Sequence, residues 1–266
     1  MNRSKAFLNK ISKFTLSKED VDEIHNHLGN AKIPSSSAGL FNWWSSDSEE
    51  TWNTNVSKRK SDLEKNGWLD YTIEYNINSH GFRDVEFYED TESYVCVGEC
   101  FTFGPGLPKT MTWPNILQEK IGRKVFNLSI SETGLDQAFR VLYYWLPIIK
   151  PKKVLMLESG HLMREFIIED KSEIVFTHSP QILQDIANNK YERFLLRQKN
   201  ILAIQQLCDM HEIPLVIITS EERDMLGKNM FENGNADNEK YFVARDLIHP
   251  GYKFHKIISA EFYKYL

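Results

Sequence analysis

The chain has 266 residues, a length that fits one large α/β domain or two small ones. Its composition, with 41% hydrophobic and 26% charged residues, is that of an ordinary globular protein with enough apolar side chains for a sizeable core. The formal net charge is −5 and no basic patch stands out, so binding to the phosphate backbone of a nucleic acid is a poor first hypothesis.

The cysteine and histidine content argues against a disulfide scaffold or a metal site. There are three cysteines without framework spacing, and no C-x-x-C or H-E-x-x-H motif occurs. The basic amino terminus lacks the apolar core of a signal peptide, and no apolar run reaches the ~20 residues of a membrane span. We therefore expect a reduced, soluble protein of the cytoplasmic or intracellular type, with no metal and no cofactor.

Residues 1–70 differ from the rest and are interpreted as an N-terminal extension, partly helical and rich in Trp and Ser. Residues 17–29 predict a short helix that is capped by Ser17 and ends at a glycine. Residues 34–57 show neither helical nor strand periodicity. Trp43 and Trp44 are too apolar for a solvated linker, so we expect them to pack on the main body or to cover a site.

Residues 71–266 alternate between strand and helix patterns. Strands are predicted at 71–77, which alternates like an edge strand, and at 94–97, 125–128, 154–157 and 214–219. Helices are predicted at 113–121, 135–149, 190–211 and 251–265. Continuous apolar strands that alternate with helices imply βαβ units whose helices cover both faces of the sheet. The predicted fold class is α/β, a three-layer α/β/α sandwich with a mostly parallel sheet.

Reactive side chains follow the predicted strands, at the sheet edge where parallel α/β folds form their sites. After the successive strands, and before the last helix, come Cys100, Gly134, the group Ser159, His161 and Arg164, and the pair Asp246 and His249. A nucleophile beside a base that is oriented by a third group is the arrangement that covalent catalysis requires. The spacing of Asp246 and His249 lets the carboxylate reach the Nδ1 atom of the ring and leaves Nε2 free as a base.

Three sequence blocks resemble those of the GDSL/SGNH hydrolases. VGECFTFGPGL resembles the first block, NLSISETGLDQ the second, and ARDLIHPGYKFH the last, Asp-x-x-His-Pro block. NSHGFR, further upstream, resembles a leader found in some members, so the match spans about residues 76–266. The resemblance implies a flavodoxin-like SGNH hydrolase fold and an esterase, thioesterase or acyltransferase. It also implies a triad of Cys100, His249 and Asp246, with the amides of Cys100 and Gly134 as oxyanion donors.

The chain departs from the family pattern at two places. Cys100 stands at the position of the nucleophilic serine, and Glu99 replaces the aspartate before it. The third block reads ESGHLMRE and lacks the asparagine that completes the family's oxyanion hole. Ser159 or His161 would have to substitute, and Arg164 is a further candidate for contact with the substrate.

Each candidate residue also has a purely structural interpretation. Cys100 could be a small buried hydrophobe, the role expected for Cys96 and Cys208, but its place after a strand at a helix start favours a thiolate. His249 could be an ordinary helix-start residue with Asp246 as its N-cap. For the molecule, the alternatives are an acyl-transfer enzyme acting on a small-molecule or glycan substrate, and a catalytically degenerate module that binds an acylated or carbohydrate ligand or serves an assembly. A redox-sensing thiol is a third hypothesis, and the oligomeric state stays open.

Overall fold

The computed structural model describes residues 38–158, 164–168, 171–175, 189–233 and 240–266. The strands in chain order are β1 (Gly39–Phe41), β2 (Tyr75–Ile77), β3 (Tyr94–Val97), β4 (Val125–Asn127), β5 (Lys153–Leu157), β6 (Arg164–Ile168), β7 (Lys171–Val175) and β8 (Leu215–Ile218). The helices are α1 (Glu49–Lys58), α2 (Lys60–Asn66), α3 (Cys100–Phe103), α4 (Trp113–Ile121), α5 (Leu135–Ile149), α6 (Lys190–Met210), α7 (Ser220–Asn233) and α8 (Tyr252–Tyr263). The helix predicted at 17–29 lies outside the described residues.

Within the described residues, the central sheet has four parallel strands in the order β4-β3-β5-β8. Both faces of this sheet are buried, because alternate strand residues pack on different helix layers. Val95 and Val97 pack with residues of α5 and α6, whereas Tyr94 and Cys96 pack with residues of α4 and α8. The predicted α/β/α sandwich with a parallel sheet is thereby confirmed, and the order of strands and helices brings the loops after β3, β4 and β5 to one edge.

The strand predicted at 71–77 does not join the central sheet. Only Tyr75–Ile77 forms a strand, and it pairs antiparallel with β1. The predicted alternation of buried and exposed side chains is present in this strand, since Tyr75 and Ile77 are buried and Asn76 is exposed. The sequence pattern identifies the strand but not its partner, which comes from the segment before α1.

Helix α1 occupies part of the stretch that has no periodicity in the sequence. Ser48 caps it by accepting the backbone N–H of Thr51 at 3.0 Å, two glutamates lie in its first turn, and Lys58 lies in its last turn. Its one buried residue is Asn55, and its apolar side is limited to the partly buried Trp52 and Val56, which is too short a stripe for periodicity to detect. The capping residues, rather than the hydrophobic pattern, are the sequence signal for this helix.

Helix α7 was also missed, although it starts with a capping box. The side chain of Glu222 accepts the backbone N–H of Thr219 at 2.8 Å, and Thr219 Oγ1 accepts the backbone N–H of Glu222 at 3.2 Å. The predicted strand at 214–219 ran through Thr219, whereas β8 ends at Ile218. The antiparallel hairpin of β6 and β7 was likewise not predicted.

Candidate active site

Cys100 is placed by a tight turn at the carboxyl end of β3. A Cβ atom on Gly98 would lie 2.2 Å from Thr102 Oγ1 and 2.9 Å from the carbonyl oxygen of Leu157, so a side chain does not fit there. The chain can therefore pass directly from β3 into α3, whose first residue is Cys100. Because α3 has only four residues, its dipole is weak, and the state of the thiol depends on the side chains and amides around it.

Asp246 and His249 form a closely bonded pair in the loop before α8. Asp246 is buried, and its Oδ1 atom accepts the backbone N–H groups of Ile248 and His249, each at 3.0 Å. Its Oδ2 atom lies 2.6 Å from His249 Nδ1. Burial alone would raise the pKa of Asp246, but these hydrogen bonds outweigh it and lower the pKa below its ordinary value. The carboxylate is thus ionised, and Nδ1 carries the proton that binds it.

Cys100 is the second side chain that raises the pKa of His249. Burial by itself would lower the pKa of His249, but hydrogen bonds to Asp246 and to Cys100 raise it to about 10. The Phe101 ring packs edge-on against the imidazole, with the ring centroids 6.0 Å apart. The structure therefore brings Cys100 and Asp246 close to the His249 ring, and both favour its protonated form.

The loop after β4 supplies two further contacts to the Cys100 sulfur. The backbone N–H of Glu132 donates to Sγ at 3.2 Å, and Ser131 Oγ lies 3.4 Å from Sγ. Glu132 adopts φ of 63°, an uncommon conformation for a residue other than glycine. Gly134, the oxyanion donor that the sequence suggests, is the N-cap of α5 in the same loop. The amide that contacts the sulfur belongs to Glu132, a residue that the sequence argument passed over although it lies within the quoted block.

The loop after β5 is described only in part. Ser159 and His161 lie outside the described residues, and Arg164 is described only as the first backbone residue of β6. Glu158, directly after β5, is fully buried and accepts two hydrogen bonds from the guanidinium of Arg197. In the described part of this loop, the polar group at the strand end is thus a buried ion pair rather than an amide side chain.

Two serines of the extension reach the same site and were not predicted. Ser46 Oγ donates to Asp246 Oδ2 at 2.7 Å and lies 3.3 Å from His249 Nδ1. Ser45 Oγ donates to a carboxylate oxygen of Glu132 at 2.8 Å. The sequence offered one weak signal, two hydroxyl residues directly after the tryptophan pair that was expected to cover a site.

A cavity of about 370 Å³ opens beside the imidazole ring. Its walls are largely apolar, with Arg223, Asp224, Lys228 and His249 as its charged lining residues. Arg223 lies over the Phe101 ring at 4.6 Å and is paired with Asp224 at 2.8 Å. The apolar lining residues are Phe101, Val243, Ile248, Pro250 and Phe254, with Gly227 on α7. An apolar organic group fits against the apolar wall of this cavity.

The residues that the structure describes contain no group of three or more His, Cys, Asp or Glu side chains arranged to hold a metal ion. Among the same residues, no helix has both the length and the apolar character needed to cross a bilayer.

Comparisons with known proteins give matches among solved structures. No family model matches the chain, and no curated protein matches it. A protein assigned to the G-D-S-L lipolytic family from Desulfitobacterium hafniense is 15% identical, with 66% of this chain and all of that chain covered and a TM-score of 0.42. TesA is 14% identical, with 65% of this chain and 97% of that chain covered and a TM-score of 0.43.

The psychrotrophic esterase EstA from a Pseudoalteromonas species is 18% identical, with 65% of this chain and 95% of that chain covered and a TM-score of 0.40. The chain is thus similar to structures that include members of the family whose motifs it resembles. At these identities and TM-scores, the similarity assigns neither an activity nor the roles of particular residues.

Proposed function

We propose that the chain is an acyl-transfer enzyme, an esterase, thioesterase or acyltransferase, in which Cys100 is the nucleophile. The observation that carries the proposal is the 2.6 Å contact between Asp246 Oδ2 and His249 Nδ1, on an imidazole whose pKa is raised by Asp246 and by the nearby Cys100. A thiolate held beside an imidazolium is an activated nucleophile, and an ionised carboxylate on Nδ1 keeps the ring in one orientation. The unit proposed to carry this activity is residues 71–266, with residues 1–70 as an extension.

In the first step the Cys100 thiolate attacks the acyl carbonyl carbon, and the carbonyl electron pair moves to oxygen. The backbone amides of Cys100, Gly134 and Glu132 are the proposed donors to this oxyanion. When the intermediate collapses, the bond to the leaving oxygen or sulfur breaks, and the leaving group takes the proton from His249. The product is a thioester on Cys100.

In the second step a water, alcohol or amine attacks that thioester while His249 accepts its proton. Collapse of the second intermediate releases the acid, ester or amide and restores the thiolate beside the imidazolium. The scheme needs no cofactor or metal. The cavity beside His249 offers apolar walls to a group of the substrate, which supports a small-molecule or glycan acyl substrate whose bound part is apolar.

The test is hydrolysis of short-chain nitrophenyl esters and acyl thioesters by the wild type and two variants. We expect turnover by the wild type, loss in Cys100→Ala, and reduction in Cys100→Ser because a hydroxyl needs stronger base assistance than a thiol. Cys208→Ala is the matched control, since it removes a buried thiol of α6 and should retain activity. Turnover that persists in Cys100→Ala would show that Cys100 is not the nucleophile.

The second candidate is a binding module that has lost catalysis. It is favoured by the burial of Cys100, which is only 7% exposed, together with the departures from the family at the nucleophile and in the third block. Under this alternative, none of the folded variants turns over any substrate of a broad panel, and Cys100→Ser would leave the binding of an acylated or carbohydrate ligand intact.

A further inference from the structure

The segment that carries Ser45 and Ser46 is a tight turn, here called the 44–47 turn. Trp44 and Asp47 exchange two backbone hydrogen bonds of 3.0 and 3.1 Å, so that the two serines are the central residues. Ser45 has φ of 55°, as expected at the first central position of a two-residue hairpin turn. This conformation directs both hydroxyls away from the turn and into the candidate site.

The base of the 44–47 turn is anchored to the residue next to the triad acid. The Asp47 carboxylate is buried and accepts two hydrogen bonds from the guanidinium of Arg245, at 2.9 and 2.7 Å. The hydroxyl of Tyr75 donates to the same carboxylate at 2.6 Å. A bidentate buried pair fixes both distance and orientation. Because Arg245 directly precedes Asp246, this ion pair fixes the position of the 44–47 turn relative to Asp246 and His249.

The Trp44 ring adds a second anchor to the main body. It stacks on Phe103 of α3 with a centroid distance of 6.1 Å and an interplanar angle of 22°. Cys100 is the first residue of that same helix. The turn is therefore held against both halves of the site, the nucleophile helix and the acid and base loop.

Ser46 supplies a hydrogen bond that the Asp246–His249 pair itself lacks. Asp246 Oδ2 faces His249 Nδ1 at 2.6 Å, and the Ser46 hydroxyl donates to the same oxygen at 2.7 Å. Removing a donor from a buried carboxylate leaves hydrogen-bonding capacity unsatisfied at a cost, and each donor that remains helps to fix the rotation of the carboxylate. The Ser46 hydroxyl thus holds the Asp246 carboxylate in the orientation in which Oδ2 stays hydrogen-bonded to His249 Nδ1.

We propose that Ser46 is a positioning residue for the Asp246–His249 pair, so that the extension completes the active site. The inference rests on the proposed function of that pair, but it concerns the geometry of His249 and can be measured without turnover. Ser45 has a similar positioning role for the loop after β4. It binds the side chain of Glu132, and the backbone amide of Glu132 contacts the Cys100 sulfur.

The experiment compares Ser46→Ala and Ser46→Thr in the full-length protein. The first readout is the NMR signal of the His249 Nδ1 proton, which a 2.6 Å hydrogen bond shifts far downfield. The second is the rate at which iodoacetamide alkylates Cys100 at neutral pH, located by peptide mass. We expect Ser46→Ala to broaden the signal through faster exchange with water and to slow alkylation by about tenfold, as for the loss of one hydrogen bond to a charged group. Ser46→Thr, which keeps the hydroxyl, should restore both.

Ser48→Ala is the matched control. It removes the N-cap of α1 from the same segment and should lower the melting temperature without changing either readout. If Ser46→Ala does not fold, Ser46→Val is compared with Ser46→Thr, which has the same shape.

A signal and a rate equal to the wild type in Ser46→Ala would overturn the proposal, as would equal losses in Ser48→Ala. Absence of turnover in the wild type, with the Ser46 effects intact, would instead count against the proposed function alone.

Discussion

His249 and His255 both belong to the last segment of the chain, and their surroundings shift their pKa values in opposite directions. For each of them burial lowers the pKa, but the acceptor Asp246 and the nearby Cys100 favour the protonated ring of His249 and raise its pKa to about 10. His255 is fully buried, its Nδ1 atom accepts the backbone N–H of Trp113 at 3.0 Å, and its pKa falls to about 3. At neutral pH one histidine is therefore charged, while the other is a neutral bridge between α8 and α4.

The low pKa of His255 predicts a loss of stability in acid. Its ordinary pKa is 6.5, so between pH 6.5 and about 3 the unfolded chain binds a proton that the folded protein excludes. The free energy of unfolding should be undiminished by His255 above pH 6.5 and should fall as the pH drops through that window. His255→Asn keeps an acceptor for the Trp113 amide. In this variant the free energy of unfolding, measured by urea unfolding from pH 7 to 4, should fall less steeply with decreasing pH than in the wild type. An equal pH dependence of the free energy of unfolding in the two proteins would contradict the assignment of this acid loss to His255.

At the scale of elements, the carboxyl end of β5 is tied to two helices by one buried carboxylate. Glu158 binds the Arg197 guanidinium of α6 through both of its oxygens and also accepts the backbone N–H of Ser220 at the start of α7. The side chain of Glu158 is fully buried, and that of Arg197 is 17% exposed. Since the loop that follows β5 belongs to the site edge of the sheet, this pair fixes the frame on which the site is built.

Arg197→Ala should therefore be strongly destabilising. It leaves the Glu158 carboxylate buried without its cation, a change that typically costs ~3–5 kcal/mol. Arg123→Ala is the comparison, because Arg123 and Glu92 form an exposed ion pair in which the two side chains are 51% and 58% exposed. That variant should lose less than ~1 kcal/mol. Denaturant midpoints of the two variants provide the measurement, and similar losses would contradict the distinction.

The hydrophobic pattern predicted the elements whose burial it encodes. The central strands and α4, α5, α6 and α8 were placed within a few residues, because continuous apolar runs and 3.6-residue spacing identify them. Helices α1 and α7 escaped because capping groups, not apolar stripes, mark them. For the site, Cys100 was singled out by its place after a strand and Asp246 and His249 by their place before the last helix, and the resemblance to the GDSL/SGNH blocks supported their grouping. Ser46 could not, because it lies 200 residues before Asp246 and its place depends on a turn that tertiary contacts fix.

At the scale of the whole molecule, the described part of the extension packs on the α/β body through aromatic rings. Trp43 lies against the Arg245 guanidinium, 4.5 Å from the ring centroid, and Trp44 stacks on Phe103. Trp52 packs beside Trp43 with a centroid distance of 6.3 Å. The expectation that this tryptophan-rich stretch packs on the main body is confirmed for these residues, and the 44–47 turn between them reaches the site.

Deletion of residues 1–56 should consequently lower both stability and solubility. It removes Asp47 from the buried Arg245 pair and exposes the apolar surface under Trp44. Loss of one partner of a buried ion pair corresponds to a fall of about 10 °C in melting temperature for a domain of this size. Asp47→Ala in the full chain should reproduce part of that fall. An unchanged melting temperature and solubility after the deletion would show that the segment is not part of the folded unit.

The most direct test of the proposed chemistry is to detect the acyl group on the enzyme. The protein is exposed to a mixed panel of activated esters and thioesters, quenched in acid, and analysed by intact mass and peptide mapping. We predict one acyl adduct on Cys100 in the wild type, slower acylation in His249→Ala, and no adduct in Cys100→Ala. An adduct that maps to Cys96 or Cys208, or that persists in Cys100→Ala, would contradict the assignment of Cys100 as the nucleophile.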